Sequence, residues 1–322
     1  MSVKLEDYRY DAEKCIGCKG CVWVDHIYMP GVNYMTKCPS YSRYQFDAYA
    51  AYGREKIAVA VMDERLTYTP ELLKVIYACN LCGACDAGCK RNLDLEPIMV
   101  LEGLRNKCVE DGAGPMPAHK KITEHILNSG NYYDASQEER NWVSNEVQSK
   151  ENADTIYFTG CNASFQNQGI VKSTIKILDA AGTHYKVLGN DECCCGHPLI
   201  ATGQVENGRK IVEQNLDLFK KSGIQRIITS CAECYKTLKV DYPKLLKKST
   251  EDMEFNVLHI TEFISPLLNE EKLKFNNKVE LRAAYHDPCN LGHTKQGAIM
   301  ASVILNRLRF SNREVKLVET LV

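Results

Sequence analysis

The chain has 322 residues, 44% of them hydrophobic and 25% charged, which is enough for about two globular domains. Forty basic residues against 41 acidic ones leave a formal net charge of −1, without the clustered basic excess that holds nucleic acid, so no nucleic-acid partner is expected. No uncharged apolar run reaches the ~18 residues that span a bilayer. Residues 1–14 lack the apolar stretch of an export signal, so a cytoplasmic chain is expected.

Sixteen cysteines stand out, nine between Cys15 and Cys108 and seven between Cys161 and Cys289. In a reducing compartment such density points to metal or redox chemistry rather than to structural disulfides. The first 110 residues read as short elements strung between cysteines. Cys15-Ile-Gly-Cys18-Lys-Gly-Cys21 is a C-x2-C-x2-C triple, and Cys38 follows after a gap of sixteen residues. Pro70–Tyr77 has helical spacing behind a first-turn proline. Next comes Cys79-Asn-Leu-Cys82-Gly-Ala-Cys85-Asp-Ala-Gly-Cys89, a C-x2-C-x2-C-x3-C run. Leu93–Val109 reads as a helix ended by the breakers of Asp111–Pro117, with Cys108 as a small buried hydrophobe on it. Residues 118–150 are polar and read as a helical bridge, closing a first domain at 1–150.

From Asp154 the pattern turns to strands alternating with amphipathic helices. Candidate strands are Thr155–Thr159, Tyr185–Leu188, Arg226–Thr229, Asn256–His259, Val279–Tyr285 and Glu314–Glu319, with helical stretches at Gly203–Ser222 and Cys231–Lys248. The expected fold is therefore α+β overall. A mainly helical ferredoxin-like domain precedes an α/β domain, residues 151–322, with a mostly parallel sheet. Functional groups belong at the carboxyl ends of such strands. Cys161 follows the first strand, Cys231 and Cys234 the third, and Cys289 the fifth. Glycine-rich nucleotide signatures are missing, so no flavin or nicotinamide is expected on this chain.

A tight cysteine triple presents three thiolates to one cluster and takes the fourth from elsewhere. In two-cluster ferredoxins the fourth cysteine of one run serves the other cluster. Two [4Fe–4S] clusters are expected on that basis. Cys15, Cys18, Cys21 and Cys89 would hold one, and Cys79, Cys82, Cys85 and Cys38 the other. Zinc would use two C-x2-C pairs per site and leaves the third cysteine of each triple unexplained. The tyrosines of Tyr41–Tyr52 are expected to pack against the first cluster.

The later cysteines are spaced Cys161-x32-Cys194-Cys195-x35-Cys231-x2-Cys234, with Gly196-His197-Pro198 after the pair and Tyr235 after the last. This spacing resembles the cysteine-rich CCG domain of the heterodisulfide reductase family. Residues 15 to 295 together are similar to that family's fused catalytic subunits. The resemblance implies a third, noncubane [4Fe–4S] cluster on Cys161, Cys194, Cys195, Cys231 and Cys234, facing a disulfide substrate. An extra Cys193 leaves open whether the pair is Cys193-Cys194 or Cys194-Cys195. His197 could protonate a leaving thiolate or merely hydrogen-bond its turn. His286-Asp-Pro-Cys289 looks like the opening of a second copy, with its cysteine pair due near residue 322. That copy would lie on another polypeptide, on a longer form of the chain, or behind a readthrough codon, or the protein has one complete site. The implied role is an iron–sulfur subunit of an anaerobic oxidoreductase complex. Its partners would be a flavoprotein, a membrane cytochrome b or a further chain completing the second CCG domain, with peripheral membrane placement through such a partner. The alternatives are an electron-transfer subunit without its own substrate and a cluster carrier.

Overall fold

Prolines open helices repeatedly in the N-terminal half, where the missing N–H is an orphan in any case. They begin Pro39–Tyr44, Pro70–Tyr77 and Pro97–Glu110. At Pro70–Tyr77 the Thr69 hydroxyl also accepts from the Leu72 N–H at 3.2 Å, capping the first turn. The chain described by this computed structural model comprises residues 4–24, 35–147, 153–274, 284–285, 288–292 and 316–317. Its contacts gather it into two units. The first takes the residues up to Lys120 together with Pro198–Val205, and the second takes Lys121–His197 and the chain from Glu206.

The first unit is helical. Val100, Leu101, Leu104 and Cys108 form the buried stripe of Pro97–Glu110. They share a core with Ala51, Ala58 and Val61 of helix Ala51–Met62, and with Leu5 and Ile76. Gly103 is needed at the crossing with the N-terminal segment, because a Cβ there would lie 2.9 Å from the Leu5 Cα. Cys108 is fully buried in this core, as its apolar neighbours suggested. The helix starts at Pro97 rather than at Leu93, since Asp94 takes a left-handed backbone and breaks the pattern just before the proline.

The second unit is built on a parallel sheet of strands β1 (Thr155–Phe158), β2 (Tyr185–Lys186), β3 (Arg226–Thr229) and β4 (Asn256–His259), in the order β2-β1-β3-β4. Thr155 of β1 pairs with Tyr185 and with Arg226, and Arg226 of β3 pairs with Asn256. The central strands are continuous apolar runs, with Ile156, Tyr157, Phe158, Ile227 and Ile228 fully buried, as strands covered on both faces must be. Helices Gln168–Ala180, Val205–Lys221 and Ile260–Asn269 lie between and after the strands. A second parallel pair joins β5 (Ala284–Tyr285) and β6 (Lys316–Leu317), inside the two later candidate strands. The rest of those stretches, and His286, lie outside the described residues.

The α+β reading holds, with helices first and a parallel sheet second. Composition put the domain boundary near 150, whereas the contacts divide the chain after Lys120. Val143 and Val147 enter the core of the sheet unit, and the Cys194 N–H donates to the Gly130 carbonyl at 2.7 Å. A polar, helical bridge thereby becomes part of the second unit.

Candidate metal centres

The two cysteine runs of the first unit pack backbone against backbone. Gly88, between Cys85 and Cys89, leaves no room for a Cβ, which would meet the Gly20 carbonyl and the Lys37 amine. This approach brings Cys89 within electrostatic reach of Cys18, and Cys85 within reach of Cys21 as well as of Cys79 and Cys82. Glu55, 2% exposed on helix Ala51–Met62, bonds the Cys15 thiol and acts on Cys21 and Cys89. Burial pushes Cys15 up to about 12, Cys21 to about 11 and the Glu55 carboxyl to about 6. Cys15, Cys21 and Cys89 thus lie around one carboxyl, with Cys18 within reach of Cys89. Tyr52 packs on the core beside Cys21, and its hydroxyl is raised first by burial and then by Asp47.

Cys38 precedes helix Pro39–Tyr44, with its sulfur 3.6 Å from the Ser40 hydroxyl and 3.9 Å from the Tyr49 carbonyl. It also acts on Cys21. Arg54, 1% exposed, ties this loop to the stretch of chain leading to Cys79. Its nitrogens donate to the Tyr49 carbonyl at 2.6 Å, the Ser40 hydroxyl at 3.1 Å and the Val75 carbonyl at 2.8 Å. Arg105 does the same for the second run, donating to the carbonyls of Cys79, of Ile76 at 3.4 Å and of Ala201 at 2.7 Å. Neither arginine was among the expected site residues. Apart from the nearby Tyr49 carbonyl, their partners are distant in sequence, so no local pattern marks them.

The second unit collects its cysteines where β1 and β3, neighbours in the sheet, send their chains onward. That is the switch point of an open parallel sheet. Cys161 begins the helix after β1, and Cys231 caps the helix after β3. The thiols of Cys161 and Cys194 interact, as do Cys194 with Cys195, Cys195 with Cys234, and Cys234 with Cys231. The result is a continuous row of five sulfurs from three segments. The Cys161, Cys194 and Cys234 thiols are raised well above their usual range. Cys195, accepting from Cys194 and Cys234 and from the His197 N–H, is lowered. Gly160, at φ +76°, makes the bend into Cys161, where a Cβ would stand 3.1 Å from the Cys234 sulfur.

Cys193 lies beside this row, within electrostatic reach of Cys161, but bonds elsewhere. Its thiol accepts from the Gln214 amide at 3.1 Å and lines a cavity of about 610 Å³ with Gly130, Gln137 and Asp191. The Cys194-Cys195 segment is pinned from behind. The Asn215 amide donates to the Cys194 carbonyl at 2.9 Å, and the Tyr242 hydroxyl to the Cys195 carbonyl at 3.1 Å. His197 has its Nδ1 3.2 Å from the Thr237 hydroxyl. Cys289 is half-buried at the start of a short helix that packs against the helix carrying Cys234. Glu192, just before the three cysteines and 1% exposed, binds the Thr159 and Gly160 N–H groups, each at 2.9 Å. Its partner Arg140 is fully buried. These two residues also escaped the sequence reading, because they meet only across 52 positions.

Among the described residues, no three His, Cys, Asp or Glu side chains converge as ligands of a single metal ion do. A multi-iron cluster is held at several irons and needs no such convergence. An all-thiol donor set fits iron–sulfur ligation.

Comparison with known proteins agrees in both halves. Residues 11–93 match the 4Fe-4S dicluster domain family, and residues 155–239 match the cysteine-rich (CCG) domain family. A dihydromethanophenazine:CoB–CoM heterodisulfide reductase subunit of Methanosarcina mazei is 34% identical over 221 residues, covering 67% of this chain and 53% of that protein. The Methanosarcina barkeri counterpart is 28% identical over 295 residues, 88% of this chain and 69% of the relative. A fumarate reductase (CoM/CoB) subunit of Methanothermobacter marburgensis is 30% identical over 292 residues, 90% of this chain and 54% of the relative. The chain spans about half the length of several curated relatives it matches. No solved structure matches it. The chain is an iron–sulfur protein in which a 4Fe-4S dicluster domain precedes a CCG domain, similar over most of its length to heterodisulfide reductase subunits of this type.

Proposed function

We propose that this chain is the iron–sulfur subunit of an anaerobic oxidoreductase complex that reduces or forms a disulfide at the CCG site. Cys15, Cys18, Cys21 and Cys89 would hold one [4Fe–4S] cluster, and Cys79, Cys82, Cys85 and Cys38 a second. Cys161, Cys194, Cys195, Cys231 and Cys234 would hold a noncubane third. The observation carrying this reading is the row of five interacting thiols at the switch point of the sheet. When bound, the clusters supply one-electron transfer, which a disulfide needs twice to become two thiols.

That reduction also takes two protons. His197 follows Gly196 directly, and its ring is oriented by the Thr237 hydroxyl, 3.2 Å from Nδ1, which suits an imidazole to a proton role. Burial of Cys194, Cys195 and Cys234, at 3–5% exposure, keeps water from the inner side of the site. The relatives named for the CoB–CoM heterodisulfide make a mixed disulfide of two small thiols the substrate class to test first. Partners in this reading are other oxidoreductase subunits: a flavoprotein, a membrane cytochrome b, or a chain completing a second CCG domain around Cys289. No helix among the described residues is long and apolar enough to cross a membrane. We place the chain in the cytoplasm, peripheral through such a partner.

The same burial favours a second reading, a relay without its own substrate. Iron and acid-labile sulfide on anaerobically purified protein separate the outcomes. About twelve irons per chain are expected, by four per cluster. Cys194→Ser is expected to reduce this to about eight and abolish disulfide turnover, with the ferredoxin signals intact. Turnover surviving that change would overturn the site assignment. A third-cluster signal that no thiol perturbs would favour the relay.

A further inference from the structure

Arg140 is fully buried in the second unit, yet among the described residues only one of its three side-chain nitrogens has a hydrogen-bond partner. Its Nη1 donates to the Glu192 carbonyl and lies 3.4 Å from the Glu192 carboxylate. Among the described residues Nε and Nη2 have no partner. The Phe165 ring covers the guanidinium, 4.8 Å from Cζ to the centroid. Glu192 gives most of its accepting capacity to the turn that delivers Cys161. It takes the N–H groups of Thr159 and Gly160, each at 2.9 Å, and the Thr159 hydroxyl at 2.8 Å. A buried guanidinium with two idle donors and a shared counter-ion is costly, and native interiors pair such groups almost without exception. The charge of Arg140 acts on the thiols of both Cys161 and Cys193.

We propose that Arg140 is a positioning residue for the CCG cluster: through Glu192 it locks the Cys161 turn to the cysteine-pair segment, and through Nε and Nη2 it offers two N–H donors and its charge to cluster sulfur. This rests on the reading that the five cysteines hold a cluster. Donors and positive charge beside cluster sulfur stabilise the more negative, reduced state, so they raise the reduction potential.

The test is an EPR-monitored redox titration of the anaerobically purified full chain, with iron per chain as the loading check. Arg140→Met keeps the bulk and removes charge and donors. It is expected to lower the third cluster's potential by at least a tenfold change in the reduced-to-oxidised ratio, about 59 mV for one electron, with the other two clusters unmoved. Glu192→Gln removes the negative charge and is expected to move the potential the opposite way. Arg140→Lys, which keeps the charge, is expected to recover most of the wild-type value. A purely structural clamp would shift Arg140→Met and Glu192→Gln in the same direction or not at all. An iron-loaded Arg140→Met with an unchanged potential overturns the proposal. If Arg140→Met does not retain the third cluster, the sign of the Glu192→Gln shift decides. Loss of the third cluster from all three variants overturns the electrostatic role. A wild-type chain holding only about eight irons overturns the cluster reading itself, which is a distinct outcome.

Discussion

At Gly160 one missing side chain makes room for the row of thiols. Its backbone, φ +76° and ψ 162°, lies in a region essentially reserved for glycine, and a Cβ there would crowd the Cys234 sulfur at 3.1 Å. Gly160→Ala is expected to destabilise the second unit by about 1–3 kcal/mol and to lose the third cluster, with the other two clusters unchanged by iron analysis and EPR. His259 gives a pH-dependent counterpart. Burial pushes its imidazole down to about 4, and its neutral Nδ1 accepts the Thr261 N–H at 3.3 Å to cap helix Ile260–Asn269. The unfolded chain takes the proton near pH 6.5, while the folded chain resists it to about pH 4. Stability therefore falls as pH drops through that window, by roughly 1.4 kcal/mol per pH unit at most. Denaturation of wild type against His259→Asn is expected to show this extra slope in wild type alone.

Helix Pro97–Glu110 serves two ends at once. Its apolar stripe supplies the core of the first unit, and Arg105, 6% exposed, reaches from it to the carbonyls of Cys79 and Ala201. Periodicity made the helix readable, but an arginine in a helix reads as solvated. Only the fold reveals a buried donor to the cysteine run. Arg105→Met is expected to cost about 1–3 kcal/mol for each carbonyl left unpaired and to make the second-run cluster the first to be lost on mild chelation. Iron release followed by absorbance checks this.

Among the described residues each unit has its own main core, around Leu101 and Leu104 in the first and around Tyr157 and Ile228 in the second. Denaturant unfolding is therefore expected in two transitions rather than one. Arg105→Met should move only the transition of the first unit and Gly160→Ala only that of the second, since the two sites share no residue. A single transition moved by both variants would contradict the division.

Cysteine spacing alone determined that the chain handles iron and sulfur, since thiols at two- and three-residue intervals act through local backbone geometry. The central strands β1 and β3 were legible for a similar reason: strands buried on both faces are short apolar runs. Side-chain direction at three consecutive cysteines is not local information. Gly130, Asn215 and Tyr242 hold that segment so that Cys194 and Cys195 join the row of sulfurs while Cys193 meets Gln214. The boundary after Lys120 and the Arg140–Glu192 clamp were likewise decided only by the tertiary structure, because each depends on packing between residues far apart in the chain.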